Sequence, residues 1–230
     1  MDKDKIKSIE DRISFNTHKE YIEYHNKIEL DNINEKEIIK KANILFELNS
    51  SIEDKKRLLY YLAHFGTLEA YKILKKYCKN PDKELKEFSA LALGECRMFL
   101  ENELLDDEIS LVSGGLGGTT NKIRILIVIF SLNEKDFTKK QKEIIKKEYQ
   151  YICKIKHTDL ENIEFEDHYA SILILLPHDV ALAEIVDEGI KKCNELGEFI
   201  FDGYYATNQE IPEKTEILEI IEKVKSGDYE

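Results

Sequence analysis

The spacing of apolar residues changes at about residue 108, and that change divides the chain into two unlike halves. From about residue 36 to 105 apolar residues recur at three- and four-residue steps. Examples are Leu58, Leu59, Leu62 and Ala63, then Leu68, Tyr71, Leu74 and Cys78. This is the period of a helix that buries one face. Beyond residue 108 the period shortens. Ile123 to Phe130 is an almost unbroken aliphatic run, the pattern of a strand buried on both faces. The expected class is α+β, with a helical domain over residues 1–107 and a mixed domain over 108–230.

Punctuation in the first half is local. Gly66 ends one helix, since glycine takes the left-handed cap at no steric cost, and Thr67 can cap the next. Asn80-Pro81 stops that helix, and Asp82 stands where a cap for a fourth is expected. A fifth helix with Phe99, Leu100, Leu104 and Leu105 is expected to reach Asp106-Asp107. Residues 1–35 read as one or two short polar helices, with Ile6, Ile9 and Ile13 on one face and Tyr21, Tyr24 and Ile28 on another. His18 and His25 lie seven apart with no third ligand in sequence, so they read as packing or solvated side chains.

The tract from Gly66 to Glu95 resembles the HEAT repeat, in the subclass also found in phycobilisome lyases. The resemblance rests on the Asn80-Pro81-Asp82 loop, the Leu85-Lys86 pair and the run Ala90-Leu91-Ala92-Leu93-Gly94. A second copy lies 29 residues upstream, where Arg57 matches Lys86 and Leu62-Ala63 matches Leu91-Ala92. Lys86 stands where the family usually has arginine, and Tyr60-Tyr61 replaces small residues in the upstream copy. The resemblance covers residues ~36–105 and implies paired helices in a protein-binding scaffold.

In the second half, Ile109 to Val112 reads as a strand that could form a hairpin with Ile123–Phe130 across Gly114, Gly115, Gly117 and Gly118. Thr138 with Gln141 forms a capping-box pattern ahead of a helix. Tyr169–Leu176 reads as a strand, Asp179 as the cap of a following helix, and Phe199 to Ala206 as a further strand. A last helix spans Glu213 to Lys225. From Ile123 the order is βαββαβ, a ferredoxin-like arrangement with an extra N-terminal strand. Reading Ile163–Leu176 as one strand would instead give a parallel sheet. Those fourteen residues are long for a strand, so a turn at Glu166-Asp167-His168 is the better reading.

Charge narrows the function. The formal net charge is −12, but residues 108–157 carry 10 basic and 5 acidic side chains, whereas residues 158–230 carry 5 and 19. An acidic C-terminal third repels phosphates, so no duplex DNA partner is expected. The longest uncharged run near the middle, Ile125 to Asn133, is far short of the ~20 residues that a membrane helix needs. The N-terminus has no apolar core of a secretory signal. Cys78, Cys96, Cys153 and Cys193 are widely spaced, which excludes a Cys-x-x-Cys metal pair and fits reduced thiols in a cytoplasmic protein.

The site candidates are few. The four glycines form the candidate ligand or partner loop, although neither the P-loop nor the dinucleotide fingerprint is met, because a strand rather than a helix follows. Glu148 falls inside an apolar stripe and is a weak acid–base candidate. His168 and His178 flank a strand and would stand roughly 30 Å apart, too far to share a metal. Cys153 and His157 lie four apart with nothing to activate the thiol. No catalytic residue, metal or cofactor is assigned. The expectation is a non-catalytic protein-interaction adaptor with an unidentified protein partner, no membrane contact, and a sheet edge open to homo-oligomerisation. The alternatives are a small-molecule sensor with the glycine loop as lid, and an enzyme of unknown class.

Overall fold

The computed structural model describes residues 5–27, 33–105 and 108–228, with the side chains of residues 25–27 left aside. Ile28, the side chain of His25 and Asp106-Asp107 therefore lie outside the described residues. Helix and strand are both present, as α+β requires. The chain divides into two compact units, Met1–Thr120 and Asn121–Glu230.

The first unit contains β1 (Ile6–Ser8), α1 (Phe15–Lys27), α2 (Glu35–Lys41), a 3-10 turn at Ala42–Phe46, α3 (Ile52–Phe65), α4 (Leu68–Tyr77), a second 3-10 turn at Lys83–Leu85, α5 (Lys86–Leu105), β2 (Ser110–Val112) and β3 (Gly118–Thr119). Caps fall where local chemistry puts them. Ser51 accepts from the Asp54 amide, and Thr67 accepts from the Ala70 amide. Gly66 closes α3 at φ 59°, and a Cβ there would stand 2.5 Å from Phe99 Cβ. The core gathers Leu59, Tyr60, Leu62, Leu74, Leu85 and Phe88, and α1 lays Tyr21 and Tyr24 around the rings of Tyr60 and Phe88.

Four expectations are corrected here. Residues 6–8 are a strand, not part of a helix, and pair in parallel with β2, Lys7 opposite Leu111. Strand therefore also occurs before residue 105. The reason is that β2 needs a backbone partner, and the N-terminal segment supplies it while burying Ile9 and Ile13 against Leu91. For the same reason β2 does not form a hairpin with the Ile123–Phe130 run. The helices expected on either side of residue 95 are one helix of 20 residues, α5. Gly94 is tolerated inside it at a cost of about 1 kcal/mol, which packing on that face outweighs. Asp82 makes no capping bond. Its Oδ2 accepts from Lys55 Nζ at 2.8 Å and from the Tyr77 hydroxyl at 2.6 Å.

The second unit contains β4 (Lys122–Ser131), α6 (Lys139–Ile155), β5 (Asp159–Glu166), β6 (Tyr169–Pro177), α7 (Leu182–Asn194), β7 (Ile200–Thr207) and α8 (Lys214–Ser226). Its four strands lie in the order β7-β4-β6-β5, every pair antiparallel. Asp167, at φ 41°, and His168 turn β5 into β6. Ile127 and Ile129 on β4 and Ile172 and Ile174 on β6 meet Ile145, Tyr149 and Ile152 of α6 and Val186 and Ile190 of α7. On the other face the Phe130 and Phe201 rings stack 5.2 Å apart, with Lys225 of α8 above Phe130. The capping box at Thr138 and Gln141 forms as expected. Asp179 does not cap α7. Ala181 holds that position and makes no side-chain bond, because the chain runs on past Asp179 before the helix begins.

Two outcomes follow from these interiors. Lys55 is 2% exposed, and Asp82→Ala would leave its ammonium buried without the carboxylate. The expected loss is about 3 kcal/mol, read from urea unfolding at pH 7. The bonds from Lys55 and Tyr77 hold the Asp82 carboxyl below its usual value. A depressed folded pKa contributes stability that is complete above the unfolded value of about 4 and is lost as pH falls through the folded one. The gap between wild type and Asp82→Ala should therefore narrow below pH ~4. By contrast, the Tyr149 hydroxyl is buried with no hydrogen-bond partner. Tyr149→Phe should raise stability by about 1 kcal/mol, and a lower thermal midpoint would contradict this.

Candidate functional site: a cleft in the first unit

The face of α5 that carries Lys86, Ala90, Leu93, Gly94, Arg97 and Glu101 is continuous at helical spacing. The segment from Lys7 to Asp11, β1 and its tail, runs along it. Between them lies a cleft of about 370 Å³ whose wall also takes Tyr71 and Cys78 from the α4 region and Ile109 and Leu111 from around β2. Gly94 sets the depth. A Cβ there would meet the Ile9 side chain at 3.2 Å and that of Leu111 at 3.4 Å.

The floor is apolar and the ends are charged. At one end Glu101 accepts from Lys7 Nζ at 2.6 Å and from Arg97 Nε at 2.8 Å. Burial alone would raise the Glu101 carboxyl, but the bonds from Lys7 and Arg97 outweigh it and hold the group below the usual carboxylate range. At the other end stand Lys79 and Lys86, exposed and without an ion-pair partner among the described residues, while Glu10 and Asp11 also line the cleft and the Asp11 carboxylate acts on Cys78. Lys86 and Glu101 are fifteen residues apart on α5, about 22 Å at 1.5 Å per residue. Nearer the Lys86 end, burial pushes the Cys78 thiol up, and its Sγ donates to the Ser89 carbonyl at 3.3 Å. Ser89 Oγ donates to the Lys86 carbonyl at 2.9 Å. Neither group is activated as a nucleophile, and the lining holds no histidine. Among the described residues no group of three or more His, Cys, Asp or Glu side chains could hold a metal ion.

The residues singled out in the sequence lie elsewhere. Gly114, Gly115, Gly117 and Gly118 are all buried in the first unit. The Gly115 carbonyl accepts from the Ile13 amide, the Gly117 amide donates to the Gly114 carbonyl, and the Gly118 amide donates to the Glu10 carbonyl. Glu148 is half-buried on α6. His168 and His178 stand just outside the two ends of the nine-residue β6 and do not meet. Burial pushes the His178 imidazole down, with Asp179 opposing. Burial also raises the Cys153 thiol to about 11, so it stays protonated. His18 bonds Ser113 Oγ through Nε2 at 2.6 Å. The cleft residues Lys7, Arg97 and Glu101 were not picked out. The i,i+4 spacing of Arg97 and Glu101 was the available signal, whereas Lys7 required the β1–β2 pairing.

No protein-family model matches this sequence, and no curated protein matches it. Among solved structures it is similar to a protein from Deinococcus radiodurans R1 described as a transposase. The identity is 8% and the TM-score 0.36 over 46% of this chain and 90% of that one. It is also similar to a REP-associated tyrosine transposase bound to a REP hairpin. There the identity is 7% and the TM-score 0.35 over 45% of this chain and 65% of that one. These neighbours run against two expectations drawn from the sequence, a non-catalytic adaptor and the absence of a duplex DNA partner, and both are withdrawn. At such TM-scores the likeness itself assigns no activity to this chain.

Gly117 gives a direct check on the packing of this unit. It sits at φ 71°, and a Cβ would lie 2.5 Å from the Glu10 carbonyl oxygen and 2.7 Å from that of Asp11. Gly117→Ala should destabilise by more than ~1 kcal/mol in chemical unfolding, since both the backbone angle and the space are wrong for alanine. An unchanged midpoint would mean that the loop does not pack on Glu10 and Asp11.

Proposed function

We propose that the first unit is a ligand-binding module whose cleft takes an elongated small molecule with an apolar body and an anionic end. The carrying observation is the form of the cleft: an apolar floor along α5 with Lys79 and Lys86 unpaired at one mouth and the Lys7–Glu101–Arg97 bridge at the other. Its volume of about 370 Å³ is at the lower end of the ~300–1,000 Å³ that ligand pockets occupy. The anionic end would lie on Lys79 and Lys86, and the apolar body over Ile9, Leu93 and Leu111.

Within this reading the first unit is a short HEAT-like array, supported by the succession of α3, α4 and α5 with short joins and by the 29-residue sequence period. The second unit is ferredoxin-like, supported by the strand order β7-β4-β6-β5. A cytoplasmic setting accords with four free cysteines. Among the described residues no helix is long and apolar enough to cross a membrane.

1-Anilinonaphthalene-8-sulfonate matches the expected ligand in shape and charge, and the chain has 0 tryptophans to obscure its emission. Saturable binding of one equivalent is expected. Ala90→Phe, which fills the cleft, should weaken it about tenfold, near 1.4 kcal/mol, with the circular dichroism unchanged. Reversing Lys79 and Lys86 to Glu should weaken it several-fold. Equal probe binding by all three proteins would overturn the assignment.

A further inference from the structure

We propose that α6 carries a docking ridge for a single nucleic-acid strand, with phosphates along Lys140, Lys147 and Lys154 and a base stacked on Tyr151. The three lysines are seven apart in sequence, so they follow one line on the outer side of the helix at intervals of about 10.5 Å. All three are exposed, opposite the side that buries Ile145, Tyr149 and Ile152. Tyr151 stands four residues after Lys147 and three before Lys154, and is 62% exposed.

Unpaired lysines are aligned on one helix face at the ridge. Carboxylates are plentiful there, and several cations off α6 are bound to them: Lys122 to Asp159, Arg124 to Glu161, Lys214 to Glu166 and Asp167, and Lys225 to Glu134, whereas Lys135, Lys191 and Lys223 are exposed without such a pair among the described residues. Lys139, Lys140, Lys147 and Lys154 on α6 have no such partner among the described residues. Lys142 and Lys146 lie over the Phe165 ring at 5.4 and 5.6 Å. Glu143 is the carboxylate on the ridge itself, while Glu148 lies toward Lys192 and Cys193 of α7.

A row of unneutralised ammonium groups attracts a polyanion. A lipid surface fits poorly, because the apolar side of α6 is already spent on the sheet and cannot enter a bilayer. A strand of nucleic acid offers regularly spaced phosphates to the lysines and a π-face to Tyr151, the combination by which single strands are held without sequence preference. This surface is independent of the cleft on the first unit.

The test is fluorescence anisotropy of a 5′-fluorescein-labelled twenty-residue oligothymidylate with the full chain, from low salt upward. Saturable binding is expected, with log K falling against log salt at a slope of about −2 for three phosphates. Lys140→Glu, Lys147→Glu and Lys154→Glu together should weaken it at least tenfold, and the corresponding triple Gln variant should also weaken it, leaving helix propensity intact. Tyr151→Ala should weaken it about fivefold or more. Reversal of the exposed Lys36, Lys40 and Lys83 in the first unit makes the same change in net charge and should leave binding close to wild type. Several outcomes would overturn the proposal: no binding at ~50 mM salt, equal loss in the first-unit control, retention of binding by both α6 triples, or equal competition by polyglutamate or by phosphatidylserine vesicles.

Discussion

Strand β4 is the constraint from which the second unit follows. Both of its edges are hydrogen-bonded, to β6 on one side and β7 on the other, and both of its faces are covered. A strand that shows aliphatic side chains to both faces can survive only if two layers close over it. One layer is α6 and α7, whose buried stripes meet Ile127 and Ile129. The other is α8, whose Ile217 and Ile221 are buried and whose Lys225 lies over Phe130. With its inner stripe committed in this way, α6 leaves its lysines on the outside.

In the first unit a comparable role falls to α5. Phe88, Ala92 and Cys96 enter the helical core, while Ala90, Leu93 and Gly94 form the wall of the cleft. The helix is thus fixed on one side before any ligand enters, which holds the floor rigid. The N-terminal segment supplies the opposite wall through a parallel pairing of only three residues. So short a strand pair is weak by itself. Ile9 and Ile13 against Leu91, and the Gly115 and Glu10 carbonyls bonded across the segment, add the rest.

Charge is used differently in the two places. Lys55 is buried, and its ammonium is matched to Asp82, which also receives the Tyr77 hydroxyl; a buried ion without such bonds would be costly. Glu101 is only half-buried and is shared by two cations, an arrangement that holds Lys7 of β1 to the far end of α5. The first fixes a loop against a helix. The second fixes a cleft wall.

The elements whose boundaries depend on neighbours within a few residues were legible in the sequence: the Thr67 cap, the left-handed Gly66, the capping box of Thr138 and Gln141, and the two-sided burial of Ile123–Phe130. Their physics is local, so a window of a dozen residues contains it. The pairing of β1 with β2, the partner of Asp82, the burial of the glycine loop and the joining of Lys7 to Glu101 were decided only by the tertiary structure. Lys7 and Glu101 are separated by 94 residues, Lys55 and Asp82 by 27. Short isolated features such as Ile6, Ile9 and Ile13 fit a helix face as well as a strand. Ile6 enters a strand because β2 is in reach and lacks a partner, while Ile9 and Ile13 follow it in irregular chain. The cleft inherits that choice, so its residues could not be assembled from periodicity and local caps alone.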